Sequence, residues 1–228
     1  MHTSRYADGD HVYFVLSDVD PAYHEAARDL AFAPGPTEGT FVRGFPADTP
    51  HLAKIYGAFA RAVEEMILQT ARVRPVPWER ALDEVLRLVA PHDLDWWLVG
   101  SAALAARGLD VRPRDLDLSV AGADAQRLGD ALLDYLIEPV VPVRGWCCDW
   151  FGRAFVGARV EWVGGVDARA DTPRVSDFGP IAADRLDTVT WQGHTLRVPP
   201  LALQLQVSER RGMADRVTEI KRAMGAGA

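Results

Sequence analysis

The sequence predicts a mixed α/β protein in which a twisted sheet is flanked by helices, and three observations lead there. Runs with the three-and-four spacing of amphipathic helices alternate with short β-branched and aromatic runs. After Pro91 the pattern becomes strand, turn, helix, strand, the order that builds a sheet with helices packed on it. Ahead of that stretch, Pro75-Val76-Pro77 interrupts the chain and divides a small N-terminal α/β region, residues 1–75, from residues 76–228.

His11-Val12-Tyr13-Phe14-Val15-Leu16 reads as a strand, closed by Ser17-Asp18. Asp20 caps a short helix that carries Pro21 at its first position and runs to about Leu30. Pro34-Gly35-Pro36 is a turn, and Thr40-Phe41-Val42-Arg43 a second strand. Thr49-Pro50 opens the clearest helix, in which Leu52, Ile55, Tyr56, Phe59, Val63, Met66 and Ile67 share one face as far as Gln69. That stripe is too wide to leave in water, so the N-terminal region is expected to pack against the rest.

Trp78 to Val89 is a second amphipathic helix, and Trp96-Trp97-Leu98-Val99 a strand that runs into Gly100-Ser101 and an alanine-rich helix to about Arg107. Leu116-Asp117-Leu118-Ser119-Val120 is the next strand. The pattern then predicts a helix over 124–137, a strand at Val140-Val141-Pro142-Val143 and one longer strand over 154–163. A hairpin over 188–198, turning at Gln192-Gly193, and closing helices over 200–209 and 214–224 complete the chain.

Composition narrows the functional classes. The 228 residues carry 25 Lys+Arg against 32 Asp+Glu, and a formal charge of −7 excludes a broad electrostatic grip on nucleic acid, though a local basic patch can still hold one. Lys54 and Lys221 are the only lysines, so phosphate contacts must come from arginine or backbone N–H groups. No apolar run is long enough for a membrane helix, and the first residues lack the apolar core of a signal peptide, which points to the cytoplasm. Adjacent Cys147 and Cys148 suit neither a disulfide nor a spaced ligand pair and read as reduced thiols, while the scattered histidines exclude a zinc site.

The residues able to do chemistry lie after Pro91. Asp115 and Asp117 are two positions apart, so in an extended chain both carboxylates leave the same face and Leu116 and Leu118 the other. Two carboxylates so close repel unless a cation lies between them, and magnesium, with its preference for oxygen ligands and phosphate-bearing substrates, is the natural one. Val99-Gly100-Ser101-Ala102 joins strand to helix, where glycine permits close backbone approach and the helix start offers N–H groups to an anion; the alternative is that Ser101 only caps the helix. A third acid belongs on a neighbouring strand, and Glu161 stands at the centre of the alternating Arg159-Val160-Glu161-Trp162-Val163. Its face also carries Arg159 and Val163, and its alternative role is a salt bridge to an arginine. Asp149 and Asp167 are lesser candidates because they sit among turn residues.

These residues resemble the nucleotidyltransferase superfamily related to DNA polymerase beta. The shared pattern is an apolar residue, Gly, Gly or Ser, a spacer, then Asp-apolar-Asp-apolar, present here as Leu98-Val99-Gly100-Ser101 and Asp115-Leu116-Asp117-Leu118. Arg112-Pro113-Arg114-Asp115-Leu116-Asp117-Leu118 looks most like lincosamide and aminoglycoside nucleotidyltransferases and AbiEii-type toxin transferases, and the resemblance spans residues 93–225. It implies a nucleotidyltransferase-type mixed sheet with the triad on one face and helices on the other. The implied reaction is inline attack by a hydroxyl on the α-phosphorus of an NTP such as ATP.

In that resemblance Asp115, Asp117 and Glu161 hold two magnesium ions about 4 Å apart, and Glu161 also helps deprotonate the attacking hydroxyl. Gly100 and Ser101 contact the β- and γ-phosphates, and Arg112 or Arg114 adds charge there; solvated loop charge is the alternative for either arginine. Glu209-Arg210-Arg211-Gly212-Met213-Ala214-Asp215-Arg216 resembles the helical segment that closes the cleft, with Arg211 its best substrate contact, although Gln204 and Gln206 stand where the family often has lysine. Acidic net charge favours a small-molecule acceptor, as in antibiotic modification, over an RNA end such as tRNA, as in toxin–antitoxin transferases. A non-catalytic nucleotide-binding or interaction module is the rival from another class. The role of the N-terminal region and the oligomeric state are left open by the sequence.

Overall fold

Residues 1–226 are described by a computed structural model, and they form a mixed α/β fold, as the sequence predicts. β1 (His2–Asp8) and β2 (His11–Ser17) make an antiparallel hairpin around Gly9, whose φ of +58° suits glycine at the turn. β1 has no counterpart among the predicted strands, because its side chains are mostly exposed and its polar sequence carries no apolar alternation. Asp20 accepts a hydrogen bond from Ala22 N and starts a 3-10 turn that leads into α1 (His24–Asp29). β3 (Ala33–Pro34) and β4 (Phe41–Pro46) complete a four-stranded sheet in the order β1-β2-β4-β3.

α2 (Leu52–Thr70) starts three residues after Thr49, because His51 takes the cap position with a φ of +62°. Its stripe of Leu52, Ile55, Phe59, Val63, Met66 and Ile67 is buried, partly under Phe14 of β2 and partly against the second sheet. α3 (Trp78–Val89) follows the proline pair.

Five strands make the second sheet: β5 (Trp96–Val99), β6 (Leu116–Val120), β7 (Leu136–Pro142), β8 (Trp150–Phe155) and β9 (Arg159–Gly164), in the order β5-β6-β9-β8-β7. Only the β6–β9 pairing is parallel, so the sheet is mixed, and α4 (Gly100–Ala106) links β5 to β6. α5 (Ala125–Ala131) lies against one face, where Trp162 Nε1 donates to Ala125 O at 3.1 Å.

Two predicted elements are corrected here. The helix over 124–137 ends at Ala131, and Leu136 and Ile137 belong to β7. Pro139 removes the helical geometry of its neighbour, and its place beside an irregular register in β7 is where a strand tolerates proline. The single strand over 154–163 is two strands: Gly157, at φ +75°, turns the chain between β8 and β9.

α6 (Pro180–Ala183) is a single turn, and β10 (Asp187–Trp191), β11 (His194–Val198), α7 (Leu201–Arg210) and α8 (Ala214–Ala226) follow the predicted order. One cluster of buried apolar side chains runs from Phe14 through the α2 stripe to Val160 and Trp162. Among the described residues no helix is long and apolar enough to cross a membrane, and both cysteines are free thiols.

Candidate active site

Period-two geometry fixes the site. On β6, Leu116 and Leu118 are buried beneath the sheet and Asp117 faces the other way; β9 repeats this with Val160 and Trp162 below and Glu161 above. Parallel pairing sets Asp117 level with Glu161, and Asp115 lies at the entry to β6. One carboxylate oxygen from each of Asp115, Asp117 and Glu161 lies within 4.8 Å of the other two, so the structure brings the three predicted acids together.

The loop from β5 crowds this cluster. Val99 pairs with Asp117, and Gly100 turns at φ +64°. A Cβ on Gly100 would stand 2.7 Å from Asp117 Oδ2, so glycine is required here by backbone conformation and by space. Val99 takes the cap position of α4 without a side-chain cap bond, and Ser101 is a buried residue of the first turn rather than the cap. Gln204 of α7 does not reach outward to substrate: its amide donates to Gly100 O at 3.1 Å and holds the loop. Gln206 is exposed.

Both roles weighed for Glu161 meet in one side chain. Its Oε1 takes Arg153 Nε at 2.6 Å and lies 3.3 Å from Arg159 Nε, while Arg159 Nη2 pairs with Asp115. Arginine therefore offsets part of the acidic charge and leaves Asp117 exposed to the rest. Burial first, then Asp115 and Glu161, push the Asp117 pKa up to about 8, with Arg159 opposing. An all-oxygen cluster in which one carboxyl resists ionisation fits a hard cation such as magnesium, whose charge would offset what the arginines leave.

Two adjoining lobes of a cleft meet at the cluster. A larger lobe of about 870 Å³ is lined by Ser101 and by Arg112, Arg114, Arg159, Arg211 and Arg216, and a smaller lobe of about 190 Å³ by Trp146, Phe151, Val163, Phe178 and Asp177. Gly100, Asp117 and Arg211 border both.

No protein-family model matches the chain, and no curated protein matches its sequence. Two solved structures resemble it in fold. A presumed nucleotidyltransferase of Thermotoga maritima (TM1012) is 16% identical over 65% of this chain and 93% of that one, with a TM-score of 0.49. The aminoglycoside nucleotidyltransferase ANT(2″)-Ia, solved in complex with adenylyl-2″-tobramycin, is 15% identical over 64% of this chain and 88% of that one, with a TM-score of 0.42.

The remaining sequence candidates separate cleanly. Arg112 and Arg114 are exposed on the wall of the larger lobe, and Arg211 reaches it from the link between α7 and α8. Asp149 is exposed, and Asp167 caps a 3-10 turn while pairing with Arg169 at 2.5 Å, so neither joins the cluster. Sequence reasoning did not reach Arg153, Asp177 or the aromatic wall, and it placed Arg216 in the cleft-closing segment without giving it a contact. Arg153 had a signal, since a strand break at Gly157 would have folded it across from Glu161. Asp177 had none: it is buried in a loop far along the chain, where burial raises its pKa against the pull of Arg211.

Proposed function

We propose that this protein is a metal-dependent nucleotidyltransferase that moves a nucleoside monophosphate from an NTP to a hydroxyl of a small molecule, in the cytoplasm where NTPs and magnesium are supplied. The observation that carries this reading is the convergence of Asp115, Asp117 and Glu161 to within 4.8 Å beside a glycine that admits no side chain.

The larger lobe suits the triphosphate. Its guanidinium groups can donate in pairs to phosphate oxygens, and Gly100 and Ser101 are assigned to the β- and γ-phosphates next to them. The acceptor then enters from the aromatic lobe, which also borders Asp117, and so can meet the α-phosphorus at the acidic cluster. The acceptor oxygen forms its bond to that phosphorus as the bridging oxygen to the β-phosphate departs with pyrophosphate. The hydroxyl proton is assigned to Glu161. Asp115, Asp117 and Glu161 are the residues that would hold magnesium, which when bound supplies charge stabilisation for the entering and leaving oxygens.

A small acceptor is favoured over an RNA end by the −7 charge and by the limited volume of the aromatic lobe. The arginines of the larger lobe favour the RNA reading in one respect, since they put positive charge at the site, offset by Asp110, Asp115, Asp117 and Asp215 in the same lining. Purified protein, each labelled NTP, magnesium and a panel of aminoglycosides, lincosamides and total tRNA decide between them. The expected product is a nucleotidylated small molecule with release of pyrophosphate; label in tRNA would select the second reading. Stoichiometric nucleotide binding without turnover on any acceptor would favour the non-catalytic module.

A further inference from the structure

Behind Glu161 runs a row of alternating charges that leaves the catalytic sheet. Arg153 lies directly across the β8–β9 ladder from Glu161 and meets it through Nε at 2.6 Å. Its Nη1 turns the other way, 2.8 Å from Glu138 Oε1 on β7. The second oxygen of Glu138 pairs with Arg43 of β4, a strand of the N-terminal sheet. Both arginines also donate to one carbonyl of the N-terminal region, Leu30 O, at 3.0 Å from Arg43 Nη1 and 3.2 Å from Arg153 Nη1.

The row Arg43, Glu138, Arg153, Glu161 is balanced in charge. Glu138 is 2% exposed and Arg153 8%, and charges so deeply placed persist only while their partners stay in place. Burial pushes the Glu138 carboxyl up, and Arg153 and Arg43 hold it down. A guanidinium fixed at one end by Glu138 and Leu30 O has little freedom left at the other. Its Nε, together with Arg159 Nε 3.3 Å from the same oxygen, therefore constrains where Glu161 Oε1 sits.

We propose that Arg153 is a positioning residue for Glu161 and that Arg43 secures Arg153 from outside the catalytic sheet, which makes residues 1–75 a buttress of the acidic cluster. The proposal rests on the reading of that cluster as a cation site. A row that served only to join the two sheets would lower stability when broken and leave the cation affinity of the folded protein unchanged.

The test is manganese binding to the whole protein, read from the electron paramagnetic resonance signal of free Mn²⁺, with melting temperature measured alongside. Asp117→Asn is the control and should abolish binding. Arg153→Lys and Arg43→Met should each weaken it about tenfold, as loss of an outer partner of a metal ligand does, and Arg43→Lys should recover most of the loss. Should Arg43→Met fail to fold, Arg43→Met/Glu138→Gln removes both charges together and takes its place, with the same expected loss. If Asp117→Asn abolishes binding while the arginine variants bind manganese as the parent does, the buttress is overturned and the cation site stands. If Asp117→Asn binds manganese like the parent, the cation site is refuted and the buttress falls with it.

Discussion

Asp117 is the residue on which the site turns, because its surroundings oppose its ionisation and a cation would reverse that. Its carboxyl is raised from an ordinary value of 3.8 to about 8. An acid whose pKa is higher folded than unfolded stabilises the fold fully below pH 3.8, and that contribution is lost as pH climbs towards 8. In metal-free protein Asp117→Asn should therefore melt at or above the parent temperature, with the gap widening from pH 5 to pH 8. Calorimetric scans across that range check it, and a gap that narrows with pH would contradict the assignment. With magnesium the order should invert, because a ligand is gone. Transfer should fall a hundredfold or more, about 3 kcal/mol of barrier.

At this scale the acids were legible in the sequence because Asp115-Leu116-Asp117-Leu118 and Arg159-Val160-Glu161 obey a local period of two, which needs no knowledge of the fold. Arg153 was legible only through Gly157, since its role comes from a pairing that exists once β8 and β9 fold back on each other there.

Among the elements, α2 shows how a short-range pattern becomes a long-range joint. Phe59, 1% exposed, has its ring 5.2 Å from Phe14 of the first sheet and 5.6 Å from Phe32, while the same helix packs on β7 of the second sheet. Phe59→Ala should cost about 3–5 kcal/mol, measured by urea unfolding, because three elements would have to collapse into the space left. An effect below about 1 kcal/mol would mean that the stripe is not the joint described here. The three-and-four spacing announced this helix and its buried stripe, apart from a start three residues late and Tyr56, which is only partly buried. Strands were harder to read wherever burial was one-sided or the chain turned tightly: β1 has almost no buried side chain to mark it, and the β8–β9 turn at Gly157 hides inside a continuous run of strand-forming residues.

For the whole molecule, the contacts between the N-terminal region and the second sheet are of several kinds. They include the buried row through Arg43 and Glu138, the α2 packing, and Gln69 Nε2 donating to Gly157 O at 2.9 Å. Residues 1–75 are therefore expected to unfold together with the remainder, in a single transition seen alike by fluorescence and circular dichroism. Limited proteolysis at Pro75-Val76-Pro77 should be slow; rapid cleavage into two folded pieces would show independent units.

The absence of lysine from the larger lobe separates two kinds of surface chemistry on this protein. Lys54 and Lys221, half exposed and paired with Asp134 and Glu209, both lie outside the lining of either lobe. Acylating reagents, amine-coupled dyes and amine-linked supports consequently attach where they leave the cleft open. Phenylglyoxal and other guanidine-directed reagents can reach the arginines that line the lobe as well as those elsewhere on the surface. The molecule can thus be labelled or tethered through its lysines without touching the lining of either lobe.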